Sequence, residues 1–380
     1  MSKISWRYFD FWLLGAVAIL TIFGIAMIRS AIAGNIELIE ANTVTKQIIF
    51  ASGGFVVMII TAAIDYRYWS ALNKFFYLGI AALLALLFFV GGALFGSARW
   101  FRVGPILIQP SELAKVVMIL VLANFFAQNI DEIHRPLTIG KSLVLTMGVV
   151  SWILLQPDLS TSIVILVLWF ALLWASGLEI KHLAIAGGGG LLTLVIGLPL
   201  LLLSYDPENT DALIKPYQIE RIINFLFPNP EARHGANYNV EQAQISIGSG
   251  GWFGQGYDSG SQVQLRFLKV RHSDFIFSAL SEEFGFVGAL FVVALLLFII
   301  LRCLRAAHIA QDTFGALIAY GVATLITFQT VVNIGMNLKL LPVTGLTLPF
   351  VSYGGSSLLS LFLGIGLVES VLLRHQDLEF

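Results

Sequence analysis

Residues 284–301 read Phe-Gly-Phe-Val-Gly-Ala-Leu-Phe-Val-Val-Ala-Leu-Leu-Leu-Phe-Ile-Ile-Leu, and Arg302 closes the run. No charge interrupts it. A helix of about 18–20 such residues crosses a hydrocarbon layer about 30 Å thick. Similar runs occupy 11–28, 75–94, 163–176, 183–203 and 358–373. Of 380 residues, 57% are hydrophobic and only 12% charged, half of the roughly 25% that soluble domains carry. The apolar residues come as long runs rather than as core stripes, which makes this an integral membrane protein.

Reading outward from these runs places spans at about 11–29, 47–64, 75–95, 112–128, 142–155, 160–176, 183–204, 284–302, 314–334 and 354–373. The expected fold is all-α: one integral membrane domain over 1–380, about ten transmembrane helices, with a large loop at 205–283 between spans seven and eight. The first run is too long for a signal-peptide core and leads straight into more spans, so it reads as an uncleaved anchor. The single cysteine, Cys303, permits no intrachain disulfide. Net charge is −1 and no basic patch falls on a soluble face, so nucleic acid is excluded as a partner.

Short loops set orientation through their Lys and Arg content. With the N-terminus inside, the inner segments hold Lys3, Arg7, Arg67, Lys74, Arg135, Lys141, Lys181, Arg302, Arg305 and Arg374. The short outer loops hold only Arg29, Lys46, Arg99, Arg102 and Lys339. Both termini are therefore expected in the cytoplasm and 205–283 outside. Loops longer than about 15 residues usually have a function. Inside this one, Ile219, Ile222, Ile223, Leu226 and Phe227 recur at helical spacing, as in a helix lying in the interface. The Gly-rich stretch from Ile247 to Tyr257 reads either as tight turns or as a nest for an anion.

Charges inside spans cost about 2.5–3.5 kcal/mol at a helix centre, so each needs a reason. Glu112 and Lys115 are three apart on one helix face and can pair, which would suffice to insert both. Ser111 and Asp158 follow prolines and suit helix capping. Arg266, Lys269, Arg271 and His272 lead up to Asp274 at the start of span eight. A carboxylate beside cations can handle an anionic substrate and accept a proton; it can also simply cap the helix. Arg99, Trp100 and Arg102 suit a phosphate and a stacked sugar, or an aromatic belt. Glu282 and Glu283 read as oxygens for a weakly held divalent ion or as headgroup-facing residues; no spacing matches a closed metal site. Residues 341–357 are dense in Pro and Gly, which implies irregular backbone tolerated at membrane depth only against protein or a wet cavity.

Taken together, Arg99-Trp100, Gln109-Pro-Ser-Glu-Leu-Ala-Lys115, Gln156-Pro-Asp158, His272-Ser-Asp-Phe-Ile-Phe277, Glu282-Glu283 and Pro349-Phe-Val-Ser-Tyr-Gly-Gly-Ser-Ser357 stand in the order of the SEDS family. The chain resembles these shape, elongation, division and sporulation proteins over nearly its whole length. Ser273 and Ser160 stand where members more often have Thr and Gly. Ile247–Gly251 and Gln156–Leu159 look like the RodA branch, Gly345–Pro349 more like FtsW, and the balance favours RodA. The resemblance implies a glycosyltransferase that polymerises lipid II onto a lipid-linked glycan strand outside the cytoplasmic membrane. It implies Asp274 as general base. It implies Arg99, Trp100, Arg102, Arg221, Arg266, Lys269, Arg271, His272 and Ser356 as substrate or pyrophosphate contacts. Glu112, Lys115, Gln156 and Asp158 become a support network, and membrane lipid lies in grooves between spans. No tightly bound cofactor is expected; a magnesium or manganese ion is a family-suggested helper, and a class B penicillin-binding transpeptidase the expected partner. The competing readings are a lipid II flippase and a non-enzymatic scaffold for a cell-wall synthase.

Overall fold

The computed structural model describes residues 6–90, 99–104, 106–179, 181, 188, 216–227, 236–265, 267–268 and 270–375. In chain order its α-helices are α1 (Phe11–Ile32), α2 (Ile36–Glu40), α3 (Thr43–Ala63), α4 (Tyr66–Ala71), α5 (Asn73–Val90), α6 (Pro110–Gln128), α7 (Pro136–Leu155) and α8 (Leu159–Ala175). There follow α9 (Pro216–Leu226), α10 (Ala236–Ser249), α11 (Ser261–Gln264), α12 (Ile276–Ile309), α13 (Thr313–Asn337) and α14 (Gly355–Leu372). A two-stranded hairpin, β1 (Phe101–Val103) and β2 (Ile106–Ile108), joins α5 to α6, with Phe101 opposite Ile108. It is the one departure from all-α among the described residues.

Among the described residues seven helices are long and apolar enough to cross a membrane, and the shorter apolar helices Asn73–Phe89 and Leu159–Ala175 sit at two further expected spans. The chain is a multi-pass membrane protein. The expected seventh span, 183–204, lies outside the described residues. Several boundaries move, among them the end of α12 at Ile309 rather than 302. Helix α7 begins at Pro136, six residues before the expected 142, with proline at its first turn where a missing N–H costs nothing. Helix α12 begins at Ile276 rather than 284, because Ser278, Ser281, Glu282 and Glu283 break the apolar run. All four are buried in protein, so lipid does not decide their helicity.

Lipid tails are as apolar as leucine, so helices associate in a bilayer through close packing. Helices α6, α13 and α14 are the most enclosed. Against α14, Gly54 of α3 lies so near the Phe362 ring that a Cβ would come within 2.2 Å of it, and a Cβ on Gly366 of α14 would fall 2.7 Å from Met58 O.

Helix α12 is broken at Gly285, where φ is 67° and ψ −165°. Such a break strands backbone groups, each costing several kcal/mol in an apolar layer. The Gly-rich stretch repairs it. Phe286 N–H donates to Gly251 O at 2.8 Å and Val287 N–H to Trp252 O at 3.1 Å. In return Gln255 N–H donates to Glu282 O at 2.9 Å and Gly256 N–H to Glu283 O at 3.0 Å. The stretch is thus a set of turns used as a backbone splint. Its glycines are required by proximity: a Cβ on Gly250 would fall 2.0 Å from Ser281 O, and one on Gly254 2.1 Å from Glu283 O.

The helix expected around 219–227 forms as α9, with Ile219 buried. Helix α10 had no apolar stripe to announce it. It packs on α12, and its buried Val240 and Ala243 cluster with Leu268 and Phe275 just before that helix.

At Gly254, φ is +79° and the space for a Cβ is taken by α12 backbone. Gly254→Ala should therefore cost at least 1–3 kcal/mol, roughly the strain of one such residue plus overpacking. Thermal unfolding of the purified variant in detergent checks this; an unchanged midpoint would mean that the turn does not brace the helix.

Candidate active site

Residues 270–275 leave regular structure just before α12, with Val270 at φ 55°. Three successive carbonyls of this segment are captured from elsewhere. His272 O accepts from Tyr353 N–H at 2.9 Å, and Ser273 O accepts from the Ser352 hydroxyl at 2.7 Å. Asp274 O accepts from the side-chain amides of Asn333 and Asn337, at 3.1 Å each. The Asn333 amide also reaches Leu346 O at 2.7 Å. The end of α13 and the 341–354 loop therefore fix where the Asp274 side chain starts.

The Asp274 carboxylate accepts from the Ser273 hydroxyl at 3.0 Å, and its other oxygen lies 3.6 Å from where a Cβ on Gly345 would stand. Capping is not its role: Phe275 occupies the cap position of α12, with no side-chain cap bond. Protein surrounds the side chain closely enough to strip most water, yet its surface remains partly open. Burial raises its pKa above the ordinary aspartate value, opposed by the Ser273 hydrogen bond and the charge of Arg221. A proton acceptor with a raised pKa and solvent access is equipped for general-base chemistry.

The cations expected around Asp274 are arranged differently. Arg271 is buried; its guanidinium donates to Ala31 O and, at 3.3 Å, to Leu268 O, bracing the segment against α1. Burial, then the charge of Arg271, lowers the His272 pKa to about 4, so His272 is neutral near pH 7 and cannot serve as a cation there. Its ring lies 5.6 Å from that of Tyr353. Arg266 and Lys269 lie outside the described residues.

A cleft of ≈ 130 Å³ is lined by Arg99, Asp158, Ser160, Arg221 and Thr344 among others. Asp274 is not in that lining; it adjoins the cleft at Gly345, the residue after Thr344. Arg221 reaches the cleft from α9 and donates to Thr344 O at 3.3 Å. Ser160 donates to the same carbonyl at 2.5 Å. Arg99 donates to Gln156 O at 3.0 Å and to Pro157 O, which secures the turn between α7 and α8. Trp100 is half-buried and Arg102 exposed in the hairpin; neither lines the cleft. Ser356 joins that hairpin to α14, accepting from Gln109 N–H at 3.0 Å. A larger cavity of ≈ 570 Å³ opens between the ends of α1 and α3, lined in part by Arg29, Asn42, Thr43, Tyr257 and Asp258.

Glu112, Lys115, Gln156 and Asp158 are all buried and partnered. Asp158 caps α8 through Thr161 N–H at 3.2 Å and also accepts from the Ser111 hydroxyl at 3.2 Å and Gln109 amide at 3.1 Å. Ser111 is therefore a network donor; α6 is capped at Gln109 without a side-chain bond. Gln156 donates to Leu84 O at 2.9 Å. Glu112 and Lys115 pair at 2.7 Å, with the lysine side chain fully buried. Glu282 and Glu283 are both buried. Glu282 accepts from Gln262 N–H at 2.7 Å and Val263 N–H at 3.3 Å, capping α11, and Glu283 accepts from the Ser30 hydroxyl. Among the described residues no three His, Cys, Asp or Glu side chains gather as a metal site.

Residues 11–377 match the family described as cell cycle protein, FtsW/RodA/SpoVE. The peptidoglycan glycosyltransferase MrdB of Escherichia coli K12 is 36% identical over 318 residues, 84% of this chain and 82% of its own length. The probable peptidoglycan glycosyltransferase FtsW of Trichlorobacter lovleyi is 33% identical over 370 residues, 96% of this chain and 93% of its own. The crystal structure of the Thermus thermophilus rod shape determining protein RodA is similar at TM-score 0.68 and 30% identity, covering 98% of each chain. A chain of a peptidoglycan synthase complex described for coordinated polymerization and crosslinking gives TM-score 0.75 at 30% identity, covering 97% of this chain and 98% of that one.

Two stability tests follow from the geometry. Glu112→Ala strands the buried Lys115 ammonium, and a broken buried pair costs roughly 3–5 kcal/mol. Replacing both at once, Glu112→Leu with Lys115→Met, should cost much less; equal losses in thermal unfolding would mean that the charges do not depend on each other. Asp274 is the opposite case. Its raised folded pKa means that ionisation opposes folding: stability is fully present below the unfolded pKa and falls as pH rises through the folded one. Asp274→Asn should thus raise the unfolding midpoint at pH 7 by a few degrees, a gain that fades in acid.

Proposed function

The chain belongs to the FtsW/RodA/SpoVE family, and from that premise we propose that it is a peptidoglycan glycosyltransferase that polymerises lipid II with Asp274 as general base. The observation that carries the assignment is the Asp274 carboxylate: held out of helix, largely desolvated, partly open, and beside a cleft that Arg221 enters. In this reading the GlcNAc 4-hydroxyl of lipid II gives its proton to Asp274. Its oxygen forms the β-1,4 bond to MurNAc C1 of the growing strand. The bond from C1 to the pyrophosphate oxygen breaks, and undecaprenyl pyrophosphate leaves with inversion at C1.

The leaving group gains negative charge as it departs, so a preorganised cation lowers the barrier. Arg221 is the basic residue best placed for this, with Arg99 on the same cleft wall. Arg271 and Ser356 act instead as braces, and His272 shapes the segment as a neutral ring. A magnesium or manganese ion would supply positive charge for the departing pyrophosphate; among the described residues no three ligating side chains gather to hold one. Glu112, Lys115, Gln156 and Asp158 hold the cleft wall. The short-loop charge bias supports an active face outside the cytoplasmic membrane and both termini inside. The likeness to a chain from a peptidoglycan synthase complex supports a class B penicillin-binding transpeptidase as partner.

Purified Asp274→Asn should bind lipid II but polymerise it at least 10²-fold more slowly, the usual loss on removing a general base. In the wild type the acidic limb of kcat/KM should lie above the ordinary aspartate pKa, with activity falling as pH drops through the raised value. Glycan strands made at the normal rate by Asp274→Asn would remove Asp274 from the mechanism.

A further inference from the structure

Asn337, at the last turn of α13, sits in the first turn of another helix. Its side-chain amide donates to Asp274 O at 3.1 Å, while its Oδ1 accepts from Ser278 N–H at 3.3 Å and from the Ser278 hydroxyl at 2.5 Å. In an uninterrupted helix Ser278 N–H would bond Asp274 O directly, four residues back. Here the asparagine amide is spliced into that bond, meeting the carbonyl with its donor and the N–H with its acceptor. The first regular bond of α12 is then Ala279 N–H to Phe275 O, one residue on. Asn333, one turn earlier on the same face, adds a second donor to Asp274 O and ties it to Leu346 O at 2.7 Å. Both asparagines are fully buried in a membrane-spanning helix, where an unpaired amide is costly, and these bonds account for them.

We infer that Asn337, seconded by Asn333, is a positioning residue for glycosyl transfer: its amide holds Asp274 out of α12 and so aims the carboxylate at the cleft. This rests on the reading of Asp274 as the base. Without the splice, Ser278 N–H recovers Asp274 O, α12 gains a residue, and the carboxylate swings to cap the helix. Substrate binding, which the cleft wall provides, stays. A base displaced by about 1 Å loses rate without losing affinity, on the order of 10²-fold.

The test is steady-state lipid II polymerisation by the full-length protein in nanodiscs, wild type against Asn337→Ala and Asn333→Ala, with a structure of the Asn337→Ala protein by electron cryomicroscopy. We expect kcat to fall about 10–100-fold for Asn337→Ala and less for Asn333→Ala, with KM within about twofold of wild type. The variant structure should show a direct Ser278–Asp274 backbone bond. Unchanged kcat in both variants, or an Asp274 segment in its original place, would overturn the inference. So would a raised KM at normal kcat, which is the mark of a damaged binding site. If Asn337→Ala does not fold, Asn333→Ala decides through the same kcat and KM split. A wild type that makes no glycan would instead sink the polymerase reading, while the variant structure would still report on the splice.

Discussion

A backbone polar group inside a bilayer has no water to bond, so any helix that stops or bends there must be completed by another part of the protein. The loop end of this bundle meets that constraint at several irregularities. Gly285 breaks α12, and residues 251–256 supply the missing donors and acceptors. The turn between α7 and α8 gives two carbonyls to Arg99. Ser273 and Leu348 are both tied to the Ser352 hydroxyl, and the Asp274 carbonyl is met from α13. Much of the side-chain chemistry in the candidate site is therefore spent on backbone. What is left over, chiefly the Asp274 carboxylate, stands out because so little is left over.

The same accounting separates two kinds of buried charge. Glu112 and Lys115 neutralise each other inside α6, and Asp158 collects donors from Thr161, Ser111 and Gln109. Those groups are each matched by an ion-pair partner or by several hydrogen-bond donors. Asp274 has one hydroxyl donor and a distant cation, and desolvation outweighs both. A protein keeps an under-solvated carboxylate of this kind where function repays the lost stability. That contrast, more than the number of charges nearby, distinguishes the candidate base from its supports.

Spans such as Phe284–Leu301 were legible because hydrocarbon thickness sets a length and composition that no other environment demands. Asp274 and the Glu112–Lys115 pair were legible because charge near an apolar run needs a reason. What the sequence hid has equally physical causes. Residues 276–283 are helical through burial in protein, which hydropathy cannot see. Arg271 and His272 look like substrate cations in a string of letters, but one is turned onto Ala31 O and the other is neutralised by burial beside the first. The Gly-rich stretch left turns and anion nest equally open, since only the broken helix it leans on reveals its purpose. Asn333 and Asn337 went unremarked because they are uncharged; two amides at i and i+4 in an apolar span were the available signal, and the test applied to charges would have caught them.

The far end of the bundle bears on the flippase alternative. There Asp10 caps α1, pairs with Arg302 of α12, and donates its N–H to Glu369 of α14 at 3.0 Å. Arg374 grips Ala62 O at 3.2 Å, Ala63 O at 2.8 Å and Ser370, and pairs with Asp65 at 3.5 Å. Arg67 and Tyr66 both reach Asp312, binding α4 to the start of α13. A carrier that passes a lipid headgroup must open this end as readily as the other, and these ties cross between the helices that would have to part. At the loop end the side chains instead surround two cavities and leave a proton acceptor beside one of them. Such ties between helices suit a reaction completed on one side of the membrane better than passage through the bundle.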